Sequence, residues 1–272
     1  MRRVFPSLME TRDLFGLSFA ALTETEALSL IESWAREPSR PCRQVATINA
    51  EFASRAWRSL TGHPRSEEFV RALRESDLAV ADGMPIVWVS RLMRRPLPSR
   101  VAGSDLLPHL CERATAAGPT VYVLGGQGDD AAKAADILRA ANPALRVVGI
   151  DNAFVSLDGG DEARQTDEEV LSRIAAAAPD ILFVGFGAMK QDVWIARHKS
   201  RLAAKVAIGI GGSYRFVTGG NRRAPEWMRR WGLEWFHRLC QEPRRLLWRY
   251  TRDIFLFSAL AVRQLLRLPF RP

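Results

Sequence analysis

Short apolar runs alternate with longer helical patterns along most of this chain, and this alternation constrains the fold more than any other feature. Runs of this length are typical of buried parallel strands, and the helices that connect such strands cover the sheet. The sequence therefore predicts an α/β fold with a mostly parallel sheet flanked by helices. The predicted strands are 14–19, 44–48, 78–81, 120–124, 146–150, 181–184 and 205–208.

Helix signals lie between these runs. Thr23 and Glu26 form a capping-box pattern, in which each residue satisfies a backbone N–H of the other at a helix start. Further helices are predicted from Ser104 towards Ala117 and over 129–141, which is rich in alanine. The acidic segment 157–169 is expected to be a surface loop that leads into a helix ending near residue 178.

Glycine turns follow three of the predicted strands. Glycine lets backbone N–H groups approach a phosphate closely, although each turn taken alone could be a tight turn and nothing more. None of them completes the G-x-G-x-x-G fingerprint, which counts against a nicotinamide dehydrogenase. The glycines expected to bind a nucleotide are Gly125, Gly126, Gly185, Gly187, Gly211 and Gly212.

Asp82 follows a predicted strand and precedes a glycine. Open α/β sheets build their sites at such strand ends, and a carboxylate there can take a proton from a substrate hydroxyl as a general base. The alternative is structural, because an aspartate there can cap the helix that starts near Met84. The sequence leaves both interpretations open. Asp105, in contrast, is expected to complement a helix dipole rather than to catalyse.

The formal net charge of +9 is concentrated near the C-terminus. Residues 222–272 hold twelve arginines, no lysine and four acids, whereas the preceding part is almost neutral. Residues 1–220, the body, are expected to form the catalytic α/β domain. Residues 221–272, the tail, are expected to form a basic, Trp/Arg-rich helical appendage for membrane association. Its longest predicted helix runs from Pro243 to about Leu268.

Composition alone leaves three interpretations of the tail open. Tryptophans interleaved with arginines can lie at a lipid interface, with the arginines towards anionic head groups. They can equally form a helical cap whose aromatic side chains pack on the body. Nucleic-acid binding is the third, but no recognised binding module accompanies the charge. No stretch approaches the roughly 20 apolar residues of a membrane span, and the N-terminus lacks the apolar run of a secretory signal.

The chain offers little support for metal chemistry or for a catalytic triad. Its four histidines are dispersed, its three cysteines are scattered, and no Asp-x-Asp pair is present. An odd number of scattered cysteines favours a reducing compartment with unpaired thiols. We expect no cofactor and no metal, so arginines would have to neutralise any bound diphosphate.

Taken in order, these motifs resemble the WecG/TagA/CpsF family of bacterial glycosyltransferases, glycosyltransferase family 26, over roughly residues 14–250. The matching motifs are Thr47-Ile-Asn49, Ala81-Asp-Gly83, Arg100-Val-Ala-Gly-Ser-Asp105, Leu124-Gly-Gly126, Gly185-Phe-Gly-Ala-Met-Lys-Gln191, Gly209-Ile-Gly-Gly212, Arg223-Ala-Pro-Glu-Trp227, Gly232-Leu-Glu-Trp235 and Glu242-Pro-Arg-Arg245. The resemblance implies a Rossmann-like fold.

The resemblance also implies an activity. This is an inverting, metal-independent transfer of a hexose or N-acetylhexosamine from a nucleotide-diphosphate donor to a polyprenyl-diphosphate-linked glycan, in cell-surface polysaccharide assembly. The enzyme would be cytoplasmic and peripheral on the inner face of the cytoplasmic membrane, bound to its anionic surface. By motif, Asp82 would be the base that deprotonates the acceptor. The residues expected to bind substrate are Thr47, Asn49, Arg100, Gln191, Arg238 and Arg245. The last two, in the tail, would meet the diphosphate of donor or carrier.

Several positions depart from the family's pattern, among them Met84-Pro85, which follows Asp82-Gly83 where a smaller pair is common. Met189 and Asp192 stand where proline and glutamate are common, and Arg215 stands where an aspartate is usual. A uronic acid donor would suit the extra arginine. The sugar, nucleotide, acceptor, linkage position and oligomeric state, including a homo-oligomer, stay open. The alternatives are a non-catalytic, membrane-associated nucleotide-sugar binding protein and another nucleotide-dependent α/β enzyme, such as an oxidoreductase.

Overall fold

The computed structural model describes residues 9–38, 41–59, 64–153, 155–220, 223–225, 227–228 and 231–266. A small antiparallel hairpin, β1 (Thr11–Leu14) and β2 (Leu17–Ala20), is separate from the main sheet. The strands of the main sheet are β3 (Arg43–Ile48), β4 (Leu78–Ala81), β5 (Val121–Gly125), β6 (Val147–Asp151), β7 (Ile181–Gly185) and β8 (Val206–Gly209). Their order is β4-β3-β8-β7-β5-β6, and every neighbouring pair is parallel. All carboxyl ends therefore meet at one edge, where open α/β sheets bind ligands.

Helices cover both faces of the sheet. The helices of the described residues are α1 (Glu24–Arg36), α2 (Ala50–Ser59), α3 (Pro64–Arg74), α4 (Met84–Leu92), α5 (Gly103–Glu112), α6 (Asp130–Ala141), α7 (Asp161–Ala177), α8 (Lys190–His198), α9 (Tyr214–Val217), α10 (Glu234–Gln241) and α11 (Pro243–Leu266). Apolar residues of α1, α5 and α6 share one core cluster, and those of α2, α3, α7 and α8 share the clusters of the opposite face. None of these described helices is both long and apolar enough to cross a bilayer.

The sequence predicts this sheet well, with one error. The α/β class and the Rossmann-like parallel sheet are confirmed, and each strand of the main sheet ends within one residue of its predicted bounds. The first predicted strand, 14–19, is wrong, because the chain reverses at Phe15 and Gly16 to form the β1–β2 hairpin. The φ angles of Phe15 and Gly16 are 59° and 76°. Phenylalanine rarely adopts a positive φ, so the apolar run gives no sign of this turn.

Helix ends depart further from the prediction. The capping box at Thr23 is confirmed, since its Oγ1 accepts the Glu26 N–H at 3.3 Å and Glu26 accepts the Thr23 N–H at 2.8 Å. Helix α5 ends at Glu112, five residues before the expected end. The Asn142 amide donates to the carbonyl of Cys111 at 2.9 Å and so satisfies that helix end.

The acidic segment 157–169, expected to be a loop, is mostly helical. Helix α7 already begins at Asp161, and its first turn contains Asp161 and Glu162. Carboxylates there complement the partial positive charge of a helix N-terminus. The composition that favours a surface loop is thus equally suited to the exposed first turns of a helix.

The last helix of the tail packs on the body. Phe257, Leu260 and Ala261 of α11 are buried in a core cluster shared with α2 and the hairpin. The Phe257 ring lies 5.2 Å from that of Phe15, whose N–H donates to Gln264 Oε1 at 2.9 Å. The opposite face of α11 is exposed. The division of the chain at residue 220 therefore stays a prediction, and the predicted continuation of α11 beyond Leu266 lies outside the described residues.

Candidate active site

A crevice of about 360 Å³ lies over the carboxyl ends of β5, β7 and β8. Helices α6 and α8 begin at this edge, shortly after the turns that leave β5 and β7. Helix N-termini present free N–H groups and a partial positive charge to such a space. Five of the six glycines predicted to bind a nucleotide line it, and Gly125 lies one residue below. The lining glycines of this glycine crevice are Gly126, Gly185, Gly187, Gly211 and Gly212.

Two of these positions need glycine because an aromatic ring occupies the space of a side chain. A Cβ on Gly185 would lie 2.6 Å from the Tyr214 ring, and one on Gly125 would lie 2.7 Å from the Phe186 ring. Tyr214 is buried, and its hydroxyl donates to the carbonyl of Phe183 at 3.0 Å. The tyrosine therefore forms a fixed floor under the crevice.

The charged lining of the glycine crevice is mainly cationic. Lys190, Arg215 and Arg238 contribute to it, together with one acid, Asp130. Arg238 belongs to α10 of the tail, and its guanidinium lies 5.2 Å from the centre of the Phe216 ring. A cation over an aromatic face is attracted by the ring's quadrupole, which helps to hold the tail against the crevice. Phosphate groups would match this lining.

Asp82 lies at the same edge of the sheet, after β4, and is partly buried. It is not the cap of α4, because Gly83 occupies that position and α4 has no side-chain cap. Its Oδ2 instead faces the Gly103 N–H at the start of α5, at 3.5 Å. Burial raises the pKa of the Asp82 carboxyl to about 6; Arg100 opposes this shift, whereas Glu234 adds to it. A pKa near the working pH suits a general base.

A chain of alternating charges connects the tail to the body beside Asp82. Asp105, in the first turn of α5 and 3% exposed, pairs with both Arg100 and Arg223. Arg100 Nη1 also lies 3.0 Å from Glu234 Oε2. The order is therefore Arg223, Asp105, Arg100, Glu234, and the two outer members belong to the tail. Asp105 is in the helix turn predicted for it, and sequence reasoning missed the roles of Arg223 and Glu234.

Three residues predicted to line the site lie beneath the sheet edge or at a helix start. Thr47 donates to the carbonyl of Gly209 at 2.8 Å, and Gln191 Oε1 accepts the N–H of Gly211 at 2.8 Å. Both are almost fully buried and hold the turn after β8. Asn49 Oδ1 accepts the Phe52 N–H at 3.0 Å, so Asn49 is the N-cap of α2. Direct contact of these three with substrate stays a prediction.

The remaining predicted residues are unevenly described. Arg100 lies beside Asp82, and Arg238 lines the glycine crevice. Arg245 is in α11, but its side chain lies outside what the structure describes. Among the described residues, no three His, Cys, Asp or Glu side chains gather closely enough to hold a metal ion. Metal independence stays a prediction.

A parallel sheet whose carboxyl edge carries glycine turns and a cationic crevice is typical of α/β enzymes that bind nucleotides. The particular family follows from comparison with known proteins. The chain belongs to the glycosyl transferase WecG/TagA/CpsF family, whose model matches residues 12–271. It is a glycosyltransferase.

Known relatives are similar to this chain along most of their length. An N-acetylglucosaminyldiphosphoundecaprenol N-acetyl-beta-D-mannosaminyltransferase of Bacillus spizizenii is 29% identical over 246 residues, which is 90% of this chain and 88% of the relative. A protein of the same name from Bacillus subtilis is 29% identical over a region that covers 76% of this chain and 73% of the relative. Another, from Staphylococcus aureus, is 26% identical over a region that covers 90% of this chain and 91% of the relative.

Proposed function

We propose that this glycosyltransferase moves a sugar from a nucleotide diphosphate to a glycan on a polyprenyl diphosphate, with inversion and without a metal ion. One observation carries the proposal: a partly buried carboxyl with a raised pKa, Asp82, shares a sheet edge with a cationic glycine crevice. The crevice would hold the donor's nucleotide and diphosphate. Asp82 would receive the acceptor's hydroxyl.

The spacing of strands supports this division. Asp82 follows β4, and the crevice covers β8, β7 and β5, which are two, three and four strands away. Adjacent strands lie about 4.8 Å apart, so roughly 10–14 Å separate Asp82 from the nearer part of the crevice. A sugar diphosphate extended along the sheet edge spans such a distance. The start of α5 forms a common wall, since Gly103 contacts both Asp82 and the turn at Ile210.

The mechanism would be a single displacement. Asp82 takes the proton of the acceptor hydroxyl as the oxygen attacks the anomeric carbon from the face opposite the leaving group. The glycosidic bond to the nucleotide diphosphate breaks in the same step, which inverts the configuration. Lys190 and Arg238 would offset the charge that develops on the departing diphosphate, with Arg245 as a further predicted contact.

The acceptor class follows from the relatives, whose names specify N-acetylglucosaminyldiphosphoundecaprenol as acceptor. Such a lipid resides in a membrane, and the tail exposes aromatic residues suited to its surface. Trp231 and Trp248 are 73% and 83% exposed, and the tail is strongly basic. Amphipathic helices of this composition bind anionic interfaces. We therefore place the enzyme on the inner face of the cytoplasmic membrane, with no nucleic-acid partner.

A donor screen tests the proposal. The full chain is incubated with short-chain polyprenyl-diphosphate N-acetylglucosamine and a panel of neutral, N-acetylated and uronic acid nucleotide sugars, and products are read by mass spectrometry. EDTA should leave turnover unchanged, and NMR should show an inverted anomeric centre. Consumption of no donor in the panel would contradict the proposal, and lost turnover in EDTA would contradict metal independence.

The same screen tests the departure at Arg215, which lines the glycine crevice. We propose that this extra cation favours an acidic sugar on the donor. Arg215→Asp should then reduce turnover of uronic acid donors relative to neutral ones. An unchanged preference would contradict this part of the proposal without affecting the rest.

A further inference from the structure

Helix α4 of the body has an exposed face of unusual composition. Trp88 is 40% exposed and Leu92, one turn later, is 67% exposed. Arg91 lies between them on the same helical face and is also exposed. The other face of α4 is in the core through Ile86 and Val87. The helix therefore presents two large apolar side chains and a cation to solvent.

Two further arginines extend this surface. Arg94 and Arg95 follow α4 directly and are exposed. Within the part of the chain that the structure describes, none of Arg91, Arg94 and Arg95 forms an ion pair. Two acids, Glu10 and Asp13, line a shallow depression with Arg94 and Arg95, and Glu10 is already paired with Arg12 of β1. The α4 surface, defined as Trp88, Arg91, Leu92, Arg94 and Arg95, is thus positively charged overall.

The α4 surface is continuous with the tail. Gly232 packs so closely on α4 that a Cβ there would lie 2.6 Å from Met84 Cβ and 2.7 Å from Trp88 Cζ2. Trp231, the residue before it, is largely exposed. An exposed tryptophan of the tail therefore lies next to the exposed tryptophan of the body.

We infer that the α4 surface is a lipid-binding element of the body, which joins the tail in one platform on an anionic bilayer and directs Asp82 towards it. This inference rests on the proposed function, because it concerns how a lipid-borne acceptor reaches that carboxylate. Helix α4 begins two residues after Asp82 and is about 14 Å long. The exposed side chains of this helix therefore lie within about 14 Å of Asp82 along the helix axis, near enough to meet the lipid chain of a glycan bound there.

The occupant is a bilayer rather than a second copy of the chain. In a two-fold symmetric dimer the same patch meets itself, so the arginines of one copy would face those of the other. An anionic lipid surface instead attracts them, while tryptophan and leucine enter the boundary between head groups and acyl chains. Charge and apolar surface then act in the same direction.

Binding of the full chain to vesicles tests the inference. The variants are Leu92→Ser and the triple change Arg91→Gln, Arg94→Gln, Arg95→Gln, and none of these residues contacts the glycine crevice or Asp82. The matched controls are Ile137→Ser, an exposed apolar residue of α6, and Arg164→Gln, an exposed arginine of α7. Partitioning is measured by sedimentation with phosphatidylglycerol-containing and pure phosphatidylcholine vesicles.

Leu92→Ser should weaken binding to the anionic vesicles about tenfold. Each arginine near an anionic surface contributes about fivefold, so the triple variant should lose roughly a hundredfold and respond less to salt. The controls should bind as the wild type does. Unchanged vesicle binding of both variants would overturn the inference. It would also be overturned if, without vesicles, the wild type is a dimer and the triple variant is a monomer.

A second assay separates this inference from the proposed function. Transfer to a water-soluble, short-chain acceptor should be unchanged in both variants, whereas transfer to a long-chain acceptor embedded in anionic vesicles should fall with binding. If no donor is consumed by the wild type, the proposed function fails while the vesicle results still stand. If both acceptors are used equally by all variants, the α4 surface is not a lipid element.

Discussion

Glu234 Oε2 of the tail lies 3.0 Å from Arg100 Nη1 of the body, and the positive charge of Arg100 lowers the pKa of Asp82. The tail therefore reaches the proposed base through one intervening residue. Glu234 also acts on Asp82 directly, since its charge adds to the raised pKa of that carboxyl. Docking of the tail and the proton affinity of Asp82 are coupled by this arrangement.

Glu234→Gln should lower the pKa of Asp82. The substitution removes a negative charge near the carboxyl and leaves Arg100 less engaged by other acids, and both changes favour the ionised form of Asp82. A base works only when deprotonated, so the rate rises with pH through its pKa, which is about 6 in the wild type. The acid limb of the kcat/KM profile should therefore move to lower pH in the variant.

Glu242→Gln provides the control, because it is the same change eight residues further along the tail. Its pH profile should match that of the wild type. A limb that stays in place in Glu234→Gln, with activity merely reduced at every pH, would assign Glu234 a purely structural role in holding the tail.

Asp82→Asn should nearly abolish transfer and should stabilise the protein. Removing a general base costs typically 10²–10⁴-fold in rate, whereas the donor, held in the glycine crevice, should bind as before. The pKa of Asp82 is raised from 3.8 to about 6, so the folded state holds this proton more tightly and loses stability as pH rises between those values. Asparagine avoids that loss, and we expect a gain of about 1–2 kcal/mol at pH 7.5.

Turnover, donor affinity by calorimetry and urea unfolding at pH 7.5 and pH 4 measure these effects. The stability gain should be small at pH 4, where the wild-type carboxyl is also mostly protonated. Retained turnover would assign the base to another residue. Loss of donor binding together with turnover would instead indicate a disturbed site.

The sequence predicts the sheet, and it also predicts at which edge the candidate site lies, because both depend on local patterns. Buried strands such as Ile181–Gly185 are apolar runs whose bounds can be counted, and strand ends in a parallel sheet must meet at one edge. Asp82 and the glycine turns are therefore identifiable without coordinates. Their arrangement along the edge follows from the strand order, which local patterns do not determine.

The tail is harder to predict because its residues serve two purposes. Its arginines suggest diphosphate or lipid contacts, yet Arg223 forms an ion pair with the buried carboxylate of Asp105. Its aromatic residues suggest an interface, yet Phe257 is buried against the body. Helical periodicity cannot separate a face packed on the body from a face turned to lipid, since both are apolar.

Arg238→Gln should weaken donor use. Its guanidinium lines the glycine crevice and is the tail's described contribution there. Loss of one charge-assisted contact to a phosphate corresponds to about 1.5–3 kcal/mol, so kcat/KM for the donor should fall roughly 10- to 100-fold. Initial rates over a donor concentration series measure this.

Arg238→Lys keeps the charge but loses the planar fork of donors, and it should recover part of the activity. Both variants should retain the wild-type KM for the acceptor if the residue meets the donor. A change in the acceptor KM alone would assign Arg238 to the diphosphate of the lipid carrier.

Gly185→Ala should destabilise the fold, whereas Gly212→Ala should not. Both glycines line the crevice, but an added Cβ at Gly185 would lie 2.6 Å from the buried Tyr214 ring, and at Gly212 it would meet nothing within 4 Å. Overpacking of a fixed core typically costs about 1–3 kcal/mol. Thermal unfolding of the two variants, which carry the same chemical change, should separate them by several degrees. Equal melting temperatures would show that Tyr214 can move aside.

Asp192→Asn should stabilise the protein more at high pH than at low pH. Asp192 is fully buried beside Gln191, and among the described residues neither of its side-chain oxygens has a hydrogen-bond donor in good geometry. Burial has the larger effect on the pKa of Asp192, which its own N–H and Gln191 act to lower. Burial raises the pKa of Asp192 from 3.8 to about 7, so its ionisation costs stability as pH rises through that interval. Asparagine cannot ionise, so the variant avoids this cost. We expect the free energy of unfolding, measured in urea, to rise by about 1–3 kcal/mol at pH 8.5 and by less at pH 5. Asp136→Asn, at an exposed position of α6, is the control and should change the free energy of unfolding at neither pH. Equal gains at both pH values would mean that Asp192 stays protonated throughout this range, which would contradict a pKa of about 7.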